Sequence, residues 1–451
     1  MSRTRVTVIG GGLAGMSAAL LCADAGSEVT LVEVRPRLGG AAYSFERDGM
    51  VIDNGQHVFL RCCTAYRALL SRLGTEHSTV LQDRLEIPVL APGGGVEWLR
   101  RTSLRPPLHL AGALARYGHL SRRERARAAR TALRLSRLDQ DDEALDLHTF
   151  GAWLGDQGQS AGAIEALWGL IALPTLNLAL AEASLAMAAF VFQTGLLRDA
   201  AAGDVGYAAV PLSRIHGDPG ERALRAAGVD VRLGWRAERV RARADGGFSV
   251  DGRGEAIECE AAIVALPHAR AAGVLPEGAI DDPSRLERLG TSPIVNLHVV
   301  YDRPVTDHAV FAAVRSPVQW GFDRTRVAGL DRGQYLGISI SGARREIGMS
   351  RDELRATYLP ALADLFPRAK DASVERFEIT REHAATFRAG PGAARLRPGP
   401  RTRLDGLALA GSWTATGWPA TMEGAVRSGL AAAREVLETA RPAARPTEAI
   451  A

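Results

Sequence analysis

The fold is decided by a stretch near the N-terminus, Val6-Thr7-Val8-Ile9-Gly10-Gly11-Gly12-Leu13-Ala14-Gly15. A β-branched run leads into a G-x-G-x-x-G turn, and a helical pattern and a second β-rich run follow it. The first glycine permits the tight turn, the second lets the backbone approach a pyrophosphate, and the third lets helix pack on strand. The stretch therefore predicts a βαβ unit that binds a dinucleotide at the N-terminus of its helix.

An acidic residue follows at the spacing that such a unit requires. Glu33 ends the second strand, 23 residues after Gly10, where a carboxylate accepts hydrogen bonds from a ribose. Two later segments, 229–263 and 407–437, repeat strand-like and helical patterns typical of the same domain. We therefore expect a Rossmann-type domain that is discontinuous in sequence.

The residues after this strand distinguish FAD from NAD. The run Glu33-Val34-Arg35-Pro36-Arg37-Leu38-Gly39-Gly40 resembles the E-x-x-x-R-x-G-G motif of the amine oxidase and carotenoid desaturase flavoproteins. In that superfamily the glycine pair lets the backbone pass against the flavin diphosphate, and the arginine supplies charge beside it. A second arginine usually follows, whereas this chain has Ala41. The resemblance implies FAD as the cofactor.

The C-terminal region resembles the flavin segment of the same superfamily over residues 409–429. In those proteins a helix N-terminus points at the isoalloxazine, where its dipole favours the anionic reduced flavin. Many relatives have an acid that hydrogen-bonds the ribityl chain, whereas this chain has Ser412. Trp413 and Trp418 are interpreted in two ways, as walls of the flavin site or as core aromatics.

Together these patterns assign a set of residues to FAD. The predicted contacts are Gly10, Gly12, Leu13, Ala14, Gly15, Glu33, Arg35, Arg37, Gly39, Gly40, Ala41, Gln56, His57, Val240, Ala265, Gly411, Ser412, Thr421, Met422 and Ala425.

Length and composition indicate a folded protein with more than one core. The chain has 451 residues, of which 46% are hydrophobic and 24% are charged. We predict an α/β protein with an FAD-binding domain of the amine oxidase/desaturase architecture and an interleaved α+β substrate domain. The FAD-binding domain is expected in 1–80, 206–274 and 401–440, the substrate domain in 81–205 and 275–400, and a loose tail in 441–451.

Several function classes are disfavoured. The four cysteines show neither metal-ligand spacing nor the density of a secreted scaffold, so we predict no metal site and a reducing compartment; they are Cys22, Cys62, Cys63 and Cys259. The motif begins so early that no signal peptide is expected, which favours the cytoplasm. The net charge is +4, and Lys370 is the only lysine. The sequence has no stripe of basic residues interleaved with aromatic ones, so we do not predict nucleic-acid binding.

A second charge pattern concerns the membrane. Residues 163–197 are apolar apart from Glu165 and Glu182, but Gly169 and Pro174 interrupt them, so a buried or lipid-lining helical pair is favoured over a membrane span. One predicted helix carries Arg122, Arg123, Arg125, Arg127, Arg130, Arg134 and Arg137. It fits either peripheral contact with an anionic membrane or a solvated arginine-rich face.

Four further motifs narrow the resemblance. They are Asp53-Asn54-Gly55-Gln56-His57, Pro211-Leu212-Ser213, Ser292-Pro293-Ile294-Val295-Asn296-Leu297-His298 and Thr414-Ala415-Thr416-Gly417. Together they resemble the hydroxysqualene dehydroxylases, a family also called squalene-associated FAD-dependent desaturases. The resemblance covers residues 6–437.

The family resemblance implies a reaction and a substrate. The hydroxyl of hydroxysqualene, an apolar isoprenoid, is replaced by a hydride from reduced FAD, which gives squalene for hopanoid synthesis. Loss of water from an allylic alcohol requires a proton donor, for which Asp53, His57 and Glu423 are the candidates. Asn54 and Gln56 are expected to hold the flavin edge. The electron donor that reduces FAD is not predicted.

Two alternatives remain open. A carotenoid desaturase or an amine oxidase shares the flavin motifs and uses the flavin in the oxidising direction. Many amine oxidases place a lysine near flavin N5, whereas the corresponding strand here has Asn296. A non-catalytic lipid escort of the same fold is disfavoured by the intact glycine turn and Glu33.

Overall fold

The computed structural model describes residues 3–439. These contain twenty β-strands. They are β1 (Arg5–Ile9), β2 (Glu28–Glu33), β3 (Ser44–Arg47), β4 (Met50–Asp53), β5 (Val58–Leu60), β6 (Thr79–Leu81), β7 (Glu86–Ala91), β8 (Gly95–Arg100), β9 (Val205–Ala208), β10 (Asp230–Leu233), β11 (Arg239–Ala242), β12 (Phe248–Gly252), β13 (Glu255–Cys259), β14 (Ala261–Val264), β15 (Thr291–Tyr301), β16 (Val310–Ala313), β17 (Trp320–Asp323), β18 (Gln334–Ser341), β19 (Val374–Phe387) and β20 (Leu407–Leu409).

The same residues contain fourteen α-helices. They are α1 (Leu13–Asp24), α2 (Thr64–Arg72), α3 (Ala111–Arg116), α4 (Arg122–Leu135), α5 (Phe150–Asp156), α6 (Ala161–Ala163), α7 (Leu170–Leu176), α8 (Leu185–Phe192), α9 (Asp218–Ala226), α10 (His268–Val274), α11 (Ser284–Arg288), α12 (Arg351–Leu365), α13 (Ala393–Leu396) and α14 (Met422–Thr439).

A five-stranded parallel sheet carries the glycine turn. Its order is β10-β2-β1-β14-β20, so its strands come from three separated parts of the chain. Strand β1 has four consecutive buried residues, as expected for a parallel strand that is covered on both faces. The predicted α/β class and the Rossmann-type arrangement are confirmed.

Helix α1 has apolar residues on nearly all sides, as expected for a helix that is enclosed by the rest of the protein. Residues Leu13 to Leu20 are all buried, and α14 packs against α1. The two helices cross closely at Gly429, since a Cβ at that position would overlap the carbonyl oxygen of Ala14. This crossing fixes the start of α14 relative to the glycine turn.

A second, seven-stranded sheet lies outside this unit. Its order is β19-β15-β18-β17-β16-β7-β8, and its strand pairs are antiparallel except for β16 with β7. It draws strands from both predicted insertions. Helix α12 begins with a capping box between Ser350 and Glu353, and it buries Leu354, Tyr358 and Leu362 against this sheet.

The described residues also form three smaller sheets. They are β11-β12-β13, β3-β4 and β5-β9-β6. The predicted domain boundaries stay a prediction, and the predicted tail 441–451 lies outside the described residues. Among residues 3–439, no helix is both long enough and apolar enough to span a bilayer.

Candidate flavin site

The glycine turn leaves the N-terminus of α1 open. Gly10 has a φ of +110°, and a Cβ there would lie 2.5 Å from the carbonyl oxygen of Ala265. A Cβ on Gly15 would overlap the carbonyl oxygen of Gly10. Gly12 precedes the helix, and no side chain within residues 3–439 caps it. The first backbone N–H groups of α1 are therefore available to a diphosphate.

A second glycine loop packs against the first. The amide of Gly39 donates to the carbonyl of Gly11 at 3.0 Å. A Cβ on Gly40, whose φ is +58°, would lie 2.8 Å from the Cα of Gly12. The Arg37 guanidinium stacks 3.5 Å from the centre of the Tyr43 ring. The stacking holds a positive charge at the edge of the space between the two glycine loops. Side chains in place of these glycines would fill that space.

The carboxylate of Glu33 links the two loops. It lies at the end of β2 and is 8% exposed. Its oxygens accept hydrogen bonds from the amides of Gly11 at 2.7 Å and Arg35 at 2.8 Å. Carboxylate oxygens have further lone pairs for ribose hydroxyls. The contact of Glu33 with a ribose stays a prediction. The structure adds a second role that the sequence did not indicate, because Glu33 holds the two glycine loops together.

The C-terminal segment approaches the same sheet edge. The amide of Gly411, after β20, donates to Ser428 Oγ at 2.8 Å, which joins this loop to α14. Helix α14 begins at Met422, and Thr421 Oγ1 accepts from the amide of Gly424 at 3.1 Å. A helix thus begins within residues 409–429, and its direction towards a flavin stays a prediction.

A buried arginine that sequence reasoning missed holds this segment together. Arg397 is 6% exposed, and its guanidinium donates to the carbonyls of Trp413 (3.2 Å), Ser412 (3.3 Å), Trp418 (2.7 Å) and Thr414. Burial lowers its pKa to about 10. At neutral pH it is a cation bound mainly by backbone dipoles, and we call residues 411–418 the stapled loop.

The two tryptophans of the stapled loop differ in environment. Trp413 is 3% exposed and its indole N–H donates to the Leu266 carbonyl at 2.9 Å, as a core aromatic does. Trp418 is partly exposed and meets Phe190 of α8 edge-on, with ring centres 5.2 Å apart. Trp418 thus lies where the helix-rich insertion meets the stapled loop.

The predicted proton donor Asp53 is fully engaged. Its carboxylate accepts from Ser44 Oγ at 2.6 Å and from the Leu212 amide at 3.0 Å. The guanidinium of Arg324, which is also buried, donates to it at 2.5 Å. These contacts favour a positioning role for the carboxylate, and one of them comes from the backbone amide of Leu212 within the Pro211-Leu212-Ser213 motif.

Glu423 is engaged in a similar way. Its carboxylate is 1% exposed and accepts from the amides of Ala65 at 3.1 Å and Tyr66 at 2.7 Å, in the first turn of α2. The Arg427 guanidinium donates to it at 2.6 Å. A carboxylate at a helix N-terminus stabilises that helix. The contacts of Glu423 therefore indicate a structural link between α14 and α2.

His57 differs from the two carboxylates. Its Nδ1 lies 3.1 Å from the carbonyl of Gly55, which can only accept, so Nδ1 carries the proton. Nε2 makes no hydrogen bond to any residue within 3–439. Burial lowers the pKa of this ring, so the protonated form is a stronger acid than an ordinary histidine.

Asn54 connects the flavin loops to the second sheet. Its side-chain amide donates to the Ala41 carbonyl at 2.9 Å and to Glu382 at 3.0 Å. Its own carbonyl accepts from Thr380 Oγ1 at 2.9 Å and from Asn296 Nδ2 at 3.1 Å. These contacts engage Asn54 with protein groups rather than leaving it free for the flavin edge.

Two buried amide atoms next to this loop have no partner among the described residues. They are Gln56 Nε2, a donor, and Asn296 Oδ1, an acceptor. Buried polar atoms without partners are rare in folded proteins. A flavin edge, which offers both donors and acceptors, fits this pair.

A histidine in β15, which the sequence analysis quoted in a motif without giving it a role, supports the same loop. His298 Nδ1 lies 2.6 Å from the Tyr335 hydroxyl, and Nε2 lies 3.1 Å from Thr380 Oγ1. Since the Thr380 proton goes to the Asn54 carbonyl, His298 donates through Nε2 and accepts from Tyr335. Burial lowers the pKa of His298 to about 3, so the ring is neutral.

The remaining predicted FAD contacts lie near these loops or in the adjoining sheet. Leu13, Ala14, Met422 and Ala425 lie in the first turns of α1 and α14, Ala265 follows β14, and Val240 is buried in β11. All assignments to FAD remain predictions. The open helix N-terminus, the space between the two glycine loops and the unpartnered amides fit a flavin dinucleotide.

Comparison with known proteins decides the family. A family model described as flavin-containing amine oxidoreductase matches residues 13–437. The chain belongs to that family. Solved structures agree on the fold: putrescine oxidase bound to putrescine has a TM-score of 0.71 at 19% identity and covers 97% of this chain and 99% of that chain. An oxidoreductase from Methanosarcina mazei has a TM-score of 0.73 at 17% identity and covers 94% and 99%.

Curated relatives agree with the narrower resemblance. The hydroxysqualene dehydroxylase of Rhodopseudomonas palustris is 30% identical over 98% of this chain and 100% of that protein. The zeta-carotene desaturase of Solanum lycopersicum is 25% identical over 95% and 80%. The predicted membership in the hydroxysqualene dehydroxylase family is confirmed, and the chain is an FAD-dependent oxidoreductase.

Proposed function

We propose that this protein removes the hydroxyl group of hydroxysqualene and replaces it with hydrogen, forming squalene. The observation that carries the proposal is full-length similarity to a hydroxysqualene dehydroxylase, together with flavin loops that fit FAD. The overall change adds a proton and a hydride to the alcohol and releases squalene and water. Reduced FAD, when bound, supplies the hydride.

For loss of the hydroxyl group, the chain contributes a proton donor and an active site that excludes water. Loss of water from an allylic carbinol leaves a resonance-stabilised cation, so protonation of the hydroxyl is the step that a side chain assists. Asp53 is paired with Arg324, and Glu423 holds the start of α2. His57 is the remaining predicted candidate, since its Nε2 makes no hydrogen bond to a described residue. Nδ1 carries the proton of the neutral ring, so Nε2 must first take up a proton from water, and the lowered pKa makes the resulting imidazolium a stronger acid but a less populated one. We assign the proton donor to His57.

A membrane-dissolved substrate also requires access to a bilayer. We propose that this contact is peripheral and involves α4, which carries the predicted row of arginines except Arg137, a residue just beyond its C-terminal end. The alternative, a solvated arginine-rich face, predicts no vesicle binding.

Stopped-flow mixing tests the reaction. Dithionite-reduced protein, freed of excess reductant, is mixed with hydroxysqualene without oxygen, and flavin absorbance is followed. We expect the flavin to reoxidise and one squalene to form per flavin. Reoxidation that requires oxygen, or squalene formed while FAD stays reduced, would contradict the proposal.

The alternative activity has its own measurement. The 25% identity to a zeta-carotene desaturase favours desaturation as the second candidate. Oxidised protein is incubated with phytoene or zeta-carotene, and new conjugated double bonds are detected by absorbance. Desaturation without conversion of hydroxysqualene would establish the oxidative reaction instead.

A further inference from the structure

Residues 101–137 carry a positive charge that the protein leaves uncompensated. The segment contains ten arginines and a single carboxylate, Glu124. Arg101 pairs with Asp204, whereas the other nine arginines form no salt bridge with any residue within 3–439. Elsewhere on the surface arginines commonly pair with carboxylates, as Arg5 does with Glu260. An uncompensated cluster of this kind attracts an anionic surface.

The same segment exposes two leucines on a small loop. In residues 102–109, which we call the leucine loop, Leu104 is 55% exposed and Leu108 is 58% exposed. The amide of Thr102 donates to the His109 carbonyl at 2.8 Å, and His109 is 1% exposed, so the base of the loop is fixed. The leucines thus project from a fixed loop.

The leucine loop and the arginine-bearing helix are neighbours. Helix α3 follows the loop and packs against both the short turn Leu108–Leu110 and α4. The Arg125 guanidinium also donates to the carbonyl of Ala115. Helix α4 buries Ala128, Thr131 and Leu135 against the protein. Five of its six arginines are exposed, namely Arg122, Arg123, Arg127, Arg130 and Arg134.

We propose that the leucine loop and α4 together form the membrane anchor of this protein. Leu104 and Leu108 enter the interfacial layer of an anionic bilayer, and the arginines of α4 contact the lipid headgroups. Apolar side chains that insert beside a cationic helix are the combination that binds anionic bilayers. The inference rests on the proposed function only for its purpose, the delivery of a bilayer-dissolved substrate.

Vesicle sedimentation with the FAD-loaded full chain tests the anchor. The probes are vesicles of phosphatidylcholine with or without 30% phosphatidylglycerol, at low and at high salt. We expect binding to the anionic vesicles that weakens with salt, because each arginine near the surface contributes about fivefold. No substrate is present, so this measurement can fail while dehydroxylation succeeds, and the reverse.

Matched variants separate insertion from simple charge attraction. Leu104→Asp with Leu108→Asp should reduce partitioning about a hundredfold, since burial of each leucine contributes about tenfold. Leu147→Asp, at a 54% exposed leucine outside the segment, should leave partitioning unchanged. The triple charge reversal Arg122→Glu, Arg123→Glu, Arg130→Glu should reduce binding about a hundredfold or more. The same reversal at Arg236, Arg270 and Arg326, which are exposed elsewhere, should have a much smaller effect.

Three outcomes would overturn the anchor. The first is no binding of the unaltered protein at low salt. The second is equal partitioning of the leucine double variant and the unaltered protein, which would leave only charge attraction. The third is stronger binding to a soluble acidic polymer such as polyglutamate than to anionic vesicles, which would indicate an acidic protein partner. Thermal unfolding and bound flavin confirm that each variant is folded.

Discussion

Replacement of Arg397 by methionine should loosen the stapled loop and destabilise the protein. The guanidinium has two short bonds, to the carbonyls of Thr414 and Trp418, and two longer ones. Hydrogen bonds to charged groups contribute about 1.5–3 kcal/mol each. The two short bonds thus give about 3–6 kcal/mol, and relief of the buried charge offsets part of this. We expect a net loss of about 3 kcal/mol.

That loss is measurable as a shift in thermal unfolding. For 451 residues, an unfolding entropy of about 2.1 cal/mol/K per residue converts 3 kcal/mol into a Tm decrease of about 3 °C. Because the stapled loop adjoins the predicted flavin contacts Gly411 and Ser412, FAD affinity should fall about tenfold. Tm and flavin fluorescence on titration of apoprotein with FAD provide the two readouts.

Two further variants make the result specific. Arg397→Lys keeps the charge but lacks the planar fan of donors, so it should restore only part of the stability. Arg401→Met, at a 70% exposed side chain with carboxylates at 3.6 and 3.8 Å, should change Tm by less than about 1 °C. If Arg397→Met melts within 1 °C of the unaltered protein and binds FAD equally well, the stapling argument is refuted.

Three other changes have defined outcomes. Glu33→Ala should weaken FAD binding by about 2–4 kcal/mol, because it removes the predicted ribose acceptor and frees the two glycine loops; unchanged flavin affinity in titrations would exclude the ribose role. Asp53→Asn should cost about 3–5 kcal/mol in unfolding free energy, because it leaves Arg324 buried without its partner. Asp53→Asn with Arg324→Met should recover most of that stability, and squalene formation by this folded, FAD-loaded double variant would contradict Asp53 as the proton donor. His298 is neutral when folded and protonates near pH 6.5 when unfolded, so its contribution is present above pH 6.5 and is lost as pH falls towards 3. Between pH 6 and 4 the unfolding free energy of His298→Gln should therefore fall about 1.4 kcal/mol less per pH unit than that of the unaltered protein, and parallel pH profiles in urea titrations would show that the ring is not buried neutral.

The flavin domain could be predicted because its determinants are local. Ten consecutive residues contain both a glycine that needs a positive φ, Gly10, and a helix N-terminus without a capping side chain. The acid at the end of β2 follows at a spacing that the βαβ unit fixes. The C-terminal segment was expected to contain a helix N-terminus by its resemblance to flavoproteins, and the structure gives the start of α14 as Met422.

The roles of the ionisable residues could not be predicted in the same way. Asp53, His57 and Glu423 are similar candidates in sequence, but each of the two carboxylates accepts hydrogen bonds from residues far along the chain, whereas His57 does not. Arg324 is 271 residues from Asp53, and Tyr66 is 357 residues from Glu423. Whether a carboxylate donates a proton or holds a loop depends on which donors reach it. Only the tertiary structure brings those donors together.

Arg397 shows the same division between sequence and tertiary structure. In the sequence it is one arginine among many, four residues from the exposed Arg401. The folded chain buries it against four carbonyls, because the stapled loop curls back over it. The sequence by itself determined the nucleotide-binding turn, the α/β class and the family, since these depend on backbone geometry over short stretches. Tertiary structure alone decided which charged groups are buried and paired, because desolvation and hydrogen bonding depend on contacts between residues distant in the chain.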